Sequence, residues 1–267
     1  MRRFLVELQF NGKKYGGWQK NSNTATVQGE VEKALSELFG TEITAQGCSR
    51  TDAGVSARQY FFHFDCDTKL PARRVCYKLN RFLPADIQAQ NSFETDFSFH
   101  ARKNVLNKTY VYRFYCGEHI KPLLNRDALF VKGNPDEETM SCACKAFEGK
   151  HNFAAFRTES SSKSSVFKNI RSAEILKTGD CYEFTVTGDG FLYNMVRIMA
   201  GAVIAAGCGK LSPEEIKAAL SSGIRPGAAL TLPPKALVLM SVEYPLTPFF
   251  EPSGKISGSA VDKTDYL

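Results

Sequence analysis

The chain has 267 residues and a formal net charge of +6, from 34 Lys and Arg against 28 Asp and Glu. Hydrophobic residues make up 43% and charged residues 23%, which excludes a disordered chain, a collagen-like fibre and a coiled-coil rod; the length predicts about two domains. Apolar runs such as 198–206 fall short of the ~20 residues of a membrane span. The eight cysteines form no Cys-x-x-Cys, and no His lies at ligand spacing from a pair of them, so they are read as free thiols of a reducing cytoplasm.

In chain order, residues 3–10 alternate: Phe4, Val6, Leu8 and Phe10 lie on one side, Arg3, Glu7 and Gln9 on the other. This is a half-buried strand and not the core of a signal peptide. Asn11-Gly12 ends it, and Gly16-Gly17 keeps the next stretch a loop. Val27, Val31, Ala34, Leu35 and Leu38 predict a helix over 27–39 that stops at Gly40. A short strand at 43–45 precedes a loop over 47–54, and Tyr60, Phe62 and Phe64 alternate in the next strand. A helix over 72–82 presents Val75, Leu79 and Phe82, and a strand follows at 87–93. That is the βαββαβ order of a ferredoxin-like unit.

The second half repeats the order in outline. It reads as a strand at 109–116, a helix over 137–147, strands at 170–177 and 181–188 around Thr178-Gly179-Asp180, an apolar helix over 191–206, and a last strand at 237–244. Ser212-Pro213-Glu214-Glu215 is a capping box that starts one more helix. The fold class is therefore α+β, with ferredoxin-like (RRM-like) halves at 1–103 and 104–248 and a tail at 249–267. Residues 158–165 and the polar tail lack hydrophobic anchors and are expected to be mobile.

The charge is unevenly spread. From His100 to Lys132 the chain carries Arg102, Lys103, Lys108, Arg113, Lys121, Arg126 and Lys132 against Glu118 and Asp127, with Tyr110, Tyr112 and Tyr115 interleaved. Cations for phosphates and rings for bases make this stretch a candidate nucleic-acid surface. The densest chemistry lies in residues 47–57. There Asp52, flanked by Arg50 and Gly54, is either a turn residue or a lone nucleophile or base approached through the Gly/Ala gap.

Arg50-Thr51-Asp52-Ala53-Gly54-Val55 resembles the signature of the TruA family of tRNA pseudouridine synthases. Four further segments resemble the family's in the same order. They are Tyr15-Gly16-Gly17-Trp18-Gln19 with Thr26-Val27-Gln28; Phe99-His100-Ala101-Arg102 with Lys108-Thr109-Tyr110-Val111-Tyr112; His151-Asn152-Phe153-Ala154-Ala155-Phe156-Arg157; and Gly190-Phe191-Leu192-Tyr193-Asn194-Met195-Val196-Arg197. The chain departs from the pattern at Cys48-Ser49, where a small residue and Gly are common, at Ser56 for His, at Ile198 for Asn, and over 225–236.

The resemblance implies a cytoplasmic, homodimeric enzyme that isomerises uridine in the anticodon arm of tRNA, at positions 38–40, without metal or cofactor. It implies one continuous antiparallel sheet with helices on one face and a central cleft. Asp52 is then the catalytic nucleophile or general base, Arg197 its ion-pair partner that keeps it charged, and Tyr110 the ring that stacks on the target base. Arg50, Arg102, Lys108, His151 and Arg157 are candidate RNA contacts, with Arg50 at a phosphate or in the space left by a flipped nucleotide. The alternatives are a paralogue acting on another RNA, a catalytically silent RNA-binding protein, and a glycosidase-type hydrolase. The last usually needs two carboxylates, and no second acid stands out.

Overall fold

The alternating N-terminal segment does become a strand, β1 (Arg2–Phe10), and it sits inside a sheet. In the computed structural model, which describes residues 1–159 and 165–245, Phe4, Val6 and Leu8 are fully buried, with Phe4 stacked on Phe64 at 5.3 Å. Each such side chain contributes about 1.5–3 kcal/mol on leaving water. The opposite face is covered too. Residues 97–101 pass over His63, held by Arg3 Nη1 donating to the carbonyls of Phe97 (2.7 Å) and Phe99 (2.8 Å). The Ala101 N–H donates to His63 Nδ1 at 3.2 Å. Burial, then the Arg3 charge, push the His63 imidazole down to about 4.

The N-terminal elements are β1, α1 (Val27–Phe39), β2 (Gln46–Gly47), β3 (Ser56–Cys66), α2 (Ala72–Leu79) and β4 (Ile87–Thr95). They are followed by β5 (Asn107–Gly117), β6 (Leu129–Lys132), α3 (Glu137–Lys145), β7 (Gly149–Asn152), β8 (Phe167–Thr178), β9 (Cys181–Gly188), α4 (Met195–Gly207), α5 (Pro213–Ser222) and β10 (Leu237–Glu243). The strands form one sheet in the order β4-β1-β3-β10-β5-β9-β8-β7, with β2 on β3 and β6 on β5. The pairings are antiparallel except β10 with β3 and β5 with β6. The sheet is thus mostly antiparallel, in an α+β molecule. The β3–β10 contact, two residue pairs at Ser56 and Ala57, is where the N-terminal strands meet the C-terminal ones.

Several boundaries differ from expectation. The expected strand at 43–45 is absent; β2 lies just beyond it. α2 ends at Leu79 because the Asn80 side chain turns to the Ala89 backbone, accepting its N–H at 2.7 Å and donating to its carbonyl at 2.8 Å. Phe82 is consequently exposed. α4 begins at Met195 and not at 191, since Asn194 adopts a left-handed φ of 60°. β6 and β7 were not expected. The eight cysteines are unpaired. Among the described residues no helix is long and apolar enough to cross a membrane. The tail and the centre of 158–165, both expected to be mobile, lie outside the described residues.

Candidate active site

The loop between β2 and β3 holds Asp52, and a cradle of small residues and rings fixes that loop from beneath. Gly17 has a φ of +92°, and a Cβ there would lie 2.4 Å from the Thr51 carbonyl oxygen. Only glycine permits that approach in that conformation. Next to it, the Trp18 N–H donates to the same carbonyl at 3.3 Å, and Gly54 N–H to the Tyr15 carbonyl at 3.1 Å. Below, Trp18 stacks on Tyr60 at 4.3 Å. A Cβ on Gly47 would sit 2.1 Å from the Tyr60 hydroxyl and 2.5 Å from the indole. The Tyr-Gly-Gly-Trp segment and the Arg-Thr-Asp loop, distant in sequence, are two halves of one packed unit.

Opposite the loop stands the start of α4. Asp52 Oδ2 lies 3.6 Å from Arg197 Nη1, an ion pair with side chains only 17% and 15% exposed. Arg197 is itself held by Nε donating to the Leu232 carbonyl and Nη1 donating to Asn194 Oδ1, both at 2.6 Å. These bonds explain a cation in the first turn of a helix, where the dipole alone disfavours it. Burial pushes the Asp52 carboxyl above the usual carboxylate range. The Arg197 guanidinium and the Asn194 backbone N–H pull it back only in part. Arg197 therefore acts in the expected direction, but desolvation outweighs it.

Asn194 is a site residue to which sequence reasoning gave no role. It is the one non-glycine residue with positive φ among the described residues, and αL asparagine is tolerated where alanine or valine is not. Its Oδ1 accepts from Arg197 and its Nδ2 donates to Thr158 Oγ1 at 2.9 Å. The signal in the sequence was the Asn itself, immediately before an apolar helix.

Tyr110, on β5, lines the same cleft with Ser49, Asp52, Phe191 and Asn194. It is 5% exposed; Phe191 meets its ring edge-on at 5.1 Å, and Ser49 Oγ lies 3.2 Å from its hydroxyl. Burial raises the phenol well above its ordinary range, and the Asp52 charge adds to this. The cleft measures about 40 Å³, roughly the space of one water molecule. A far larger hollow, about 780 Å³, lies on the open face of the sheet. Its acids are already engaged, Asp86 by Tyr15 at 2.6 Å and Asp127 by Lys13. Asp52 and Tyr110 line the small cleft instead.

The structure brings Asp52, Tyr110 and Arg197 together with Arg50, which is exposed at the rim. Lys108 is half-buried on β5, within electrostatic range of Arg102 and Lys168, and burial pulls its ammonium down. Arg157 precedes Thr158, which reaches Asn194 and bonds the Tyr193 carbonyl. His151 is not at the cleft; its ring nitrogen bonds the Glu148 carbonyl at 2.7 Å on β7. The basic stretch of 100–132 is spread along β5, which spans about 36 Å, and the segments that flank it. Arg113 pairs with Glu183 at 2.7 Å and Lys121 with Asp180 at 2.9 Å. Lys108 lies two residues before Tyr110 on β5. Among the described residues no three His, Cys, Asp or Glu side chains converge as a metal site requires.

Comparison with known proteins now bears on this geometry. The sequence model of a family described as tRNA pseudouridine synthase matches residues 143–245. tRNA pseudouridine synthase A of Ruminiclostridium cellulolyticum is 36% identical over 245 residues, covering 91% of this chain and 100% of the relative. The chain belongs to the tRNA pseudouridine synthase A family. The same enzyme of Acetivibrio thermocellus is 37% identical over 244 residues, with 91% and 100% covered. Among solved structures, the archaeal box H/ACA sRNP Nop10-Cbf5 complex overlaps at a TM-score of 0.32 and 14% identity, covering 79% of this chain and 44% of that one. That likeness is too loose to carry an argument. Membership places this chain among the pseudouridine synthases, an isomerase class.

Proposed function

We propose that this enzyme converts uridine to pseudouridine in the anticodon arm of tRNA, at positions 38, 39 or 40, with Asp52 as its single catalytic carboxylate. The observation that carries the reading is that Asp52 and Tyr110, from separate parts of the chain, line one cleft, with Arg197 from a third part ion-paired to Asp52. The reaction breaks the C1′–N1 bond, turns the uracil and joins C1′ to C5; N1 gains a proton and C5 gives one up. One carboxylate that engages the ribose is enough, provided the freed base stays captive. No metal or cofactor enters this scheme.

The residues divide the work. Asp52 engages the sugar, Arg197 stabilises its charge, and Tyr110 stacks on the base. Arg50, Arg102, Lys108 and Arg157 hold phosphates, with His151 the outermost contact. The present cleft is smaller than a uracil ring, so entry of the flipped nucleotide requires its wall to open. The scaffold is two ferredoxin-like units, 1–103 and 104–248, supported by the strand orders β4-β1-β3-β2 and β10-β5-β9-β8. In this reading the enzyme is a cytoplasmic homodimer.

Mapping pseudouridines in total RNA from cells with and without the gene tests this reading. The expected result is loss of pseudouridine at tRNA positions 38–40 alone. Loss confined to another RNA overturns the assigned substrate, and an unchanged map overturns the activity.

A further inference from the structure

We infer that Ser49 is a positioning residue for Tyr110, its hydroxyl fixing the tyrosine across the cleft from Asp52. The inference rests on the reading of Asp52 and Tyr110 as the pair that faces the uridine.

Ser49 is 8% exposed and its Oγ lies 3.2 Å from Tyr110 Oη. The bond runs from the loop before β3 to the middle of β5, so it couples the element carrying the carboxylate to the element carrying the ring. Both ends are set by rigid surroundings. On the loop side, Tyr60 grips the Ser49 backbone from both directions, donating to its carbonyl and accepting its N–H at 3.4 Å. Tyr60 is fully buried under the Trp18 stack, against a Gly47 that has no room for a Cβ. With its backbone pinned, Ser49 keeps one torsion, and the hydroxyl is committed to Tyr110. On the strand side, Tyr110 is clamped edge-on by Phe191.

The bond matters for two reasons. A buried phenol with no partner is disfavoured, which would favour rotamers that swing Tyr110 out of the cleft. It also ties the phenol to the loop that carries Asp52, whose charge the phenol feels. Where a substrate must displace part of the cleft wall, a tyrosine already locked in place spares the ordering cost of docking it during turnover.

The test uses the full-length enzyme and tRNA tritiated at uridine C5, with tritium release as the readout. Ser49→Ala is expected to lower kcat roughly three- to tenfold, the range of one neutral hydrogen bond, with KM unchanged. Ser49→Thr, which keeps the hydroxyl, is expected to recover most of the loss. In a Tyr110→Phe background, which lacks the partner oxygen, Ser49→Ala is expected to have no further effect. Two results overturn the inference: an unchanged kcat in Ser49→Ala, or the same loss with and without the Tyr110 hydroxyl. The second outcome makes Ser49 a packing residue only. Should Ser49→Ala fail to fold, Ser49→Cys, which replaces the oxygen by a weak partner, is measured in the same cycle. Failure of the parent reading is separate, because wild-type enzyme would then release no tritium at all.

Discussion

β2 and β8 hold equivalent places in the two strand sets, outside β3 and outside β9, yet β8 runs for 12 residues and β2 for two. β8 pairs along nearly all of β9 and turns tightly through Thr178-Gly179-Asp180, its inward residues Ile170 and Ala173 filling the core. β2 breaks off at Gly47, where the chain leaves the sheet for the loop that carries Asp52. The missing strand does two things at once. It frees backbone to hold a carboxylate, and it leaves the end of β3 open for β10 to join at Ser56 and Ala57. Regular structure gives way where the site is, and the packing that a strand would have provided comes instead from Trp18, Tyr60 and Gly17.

Substitutions at the two places should behave differently. Gly47→Ala puts a methyl into Tyr60 and Trp18; it is expected to cost about 3 kcal/mol in thermal or urea unfolding and to remove activity with it. An unaffected melt would break the contrast. At the facing helix, Arg197→Gln removes the cation that partly offsets the burial of Asp52. The carboxyl then rises further, so the acid limb of the pH–rate profile moves to higher pH. A limb that stays in place would separate Arg197 from Asp52. Ser212→Ala, remote from both regions, removes the capping box of α5 and is expected to cost about 1 kcal/mol with kcat/KM unchanged. At the tight turn, Gly179→Asn meets open space at a φ of +58°, which asparagine adopts readily. Its melting should match wild type within roughly 0.5 kcal/mol.

Much of this was legible locally. α1 matched its expected bounds because Thr26 caps it, its side chain accepting from the Gly29 N–H, and Gly40 stops it; α5 was announced by its capping box. What escaped was non-local or too short for periodicity. β6 and β7 are four-residue strands, β7 polar throughout, and each exists because a longer neighbour offers an edge. The start of α4 was placed four residues early, since Phe191 and Leu192 continue its apolar pattern while Asn194 refuses helical geometry. At the site, family resemblance put Asp52, Tyr110 and Arg197 in one cleft, but no local pattern marks Tyr60 or Ser49 as part of it. Their roles depend on which rings lie beneath the loop. The charge count could not show which cations stay free: Arg113 and Lys121 pair with Glu183 and Asp180, acids distant in sequence.

The central claim is that Asp52 is the one group that does the covalent or proton-transfer work. Its test is tritium release from C5-labelled tRNA by Asp52→Asn, with tRNA affinity and melting temperature measured alongside. The raised carboxyl makes the charged form a cost to the fold above its own pKa, and that cost vanishes below the ordinary range of an aspartate near 3.9. Asp52→Asn should therefore melt higher than wild type at pH 7, with the gap closing below about pH 4. Release should fall by at least about a thousandfold with tRNA affinity retained. Release at the wild-type rate by a folded, tRNA-binding Asp52→Asn enzyme would contradict the account.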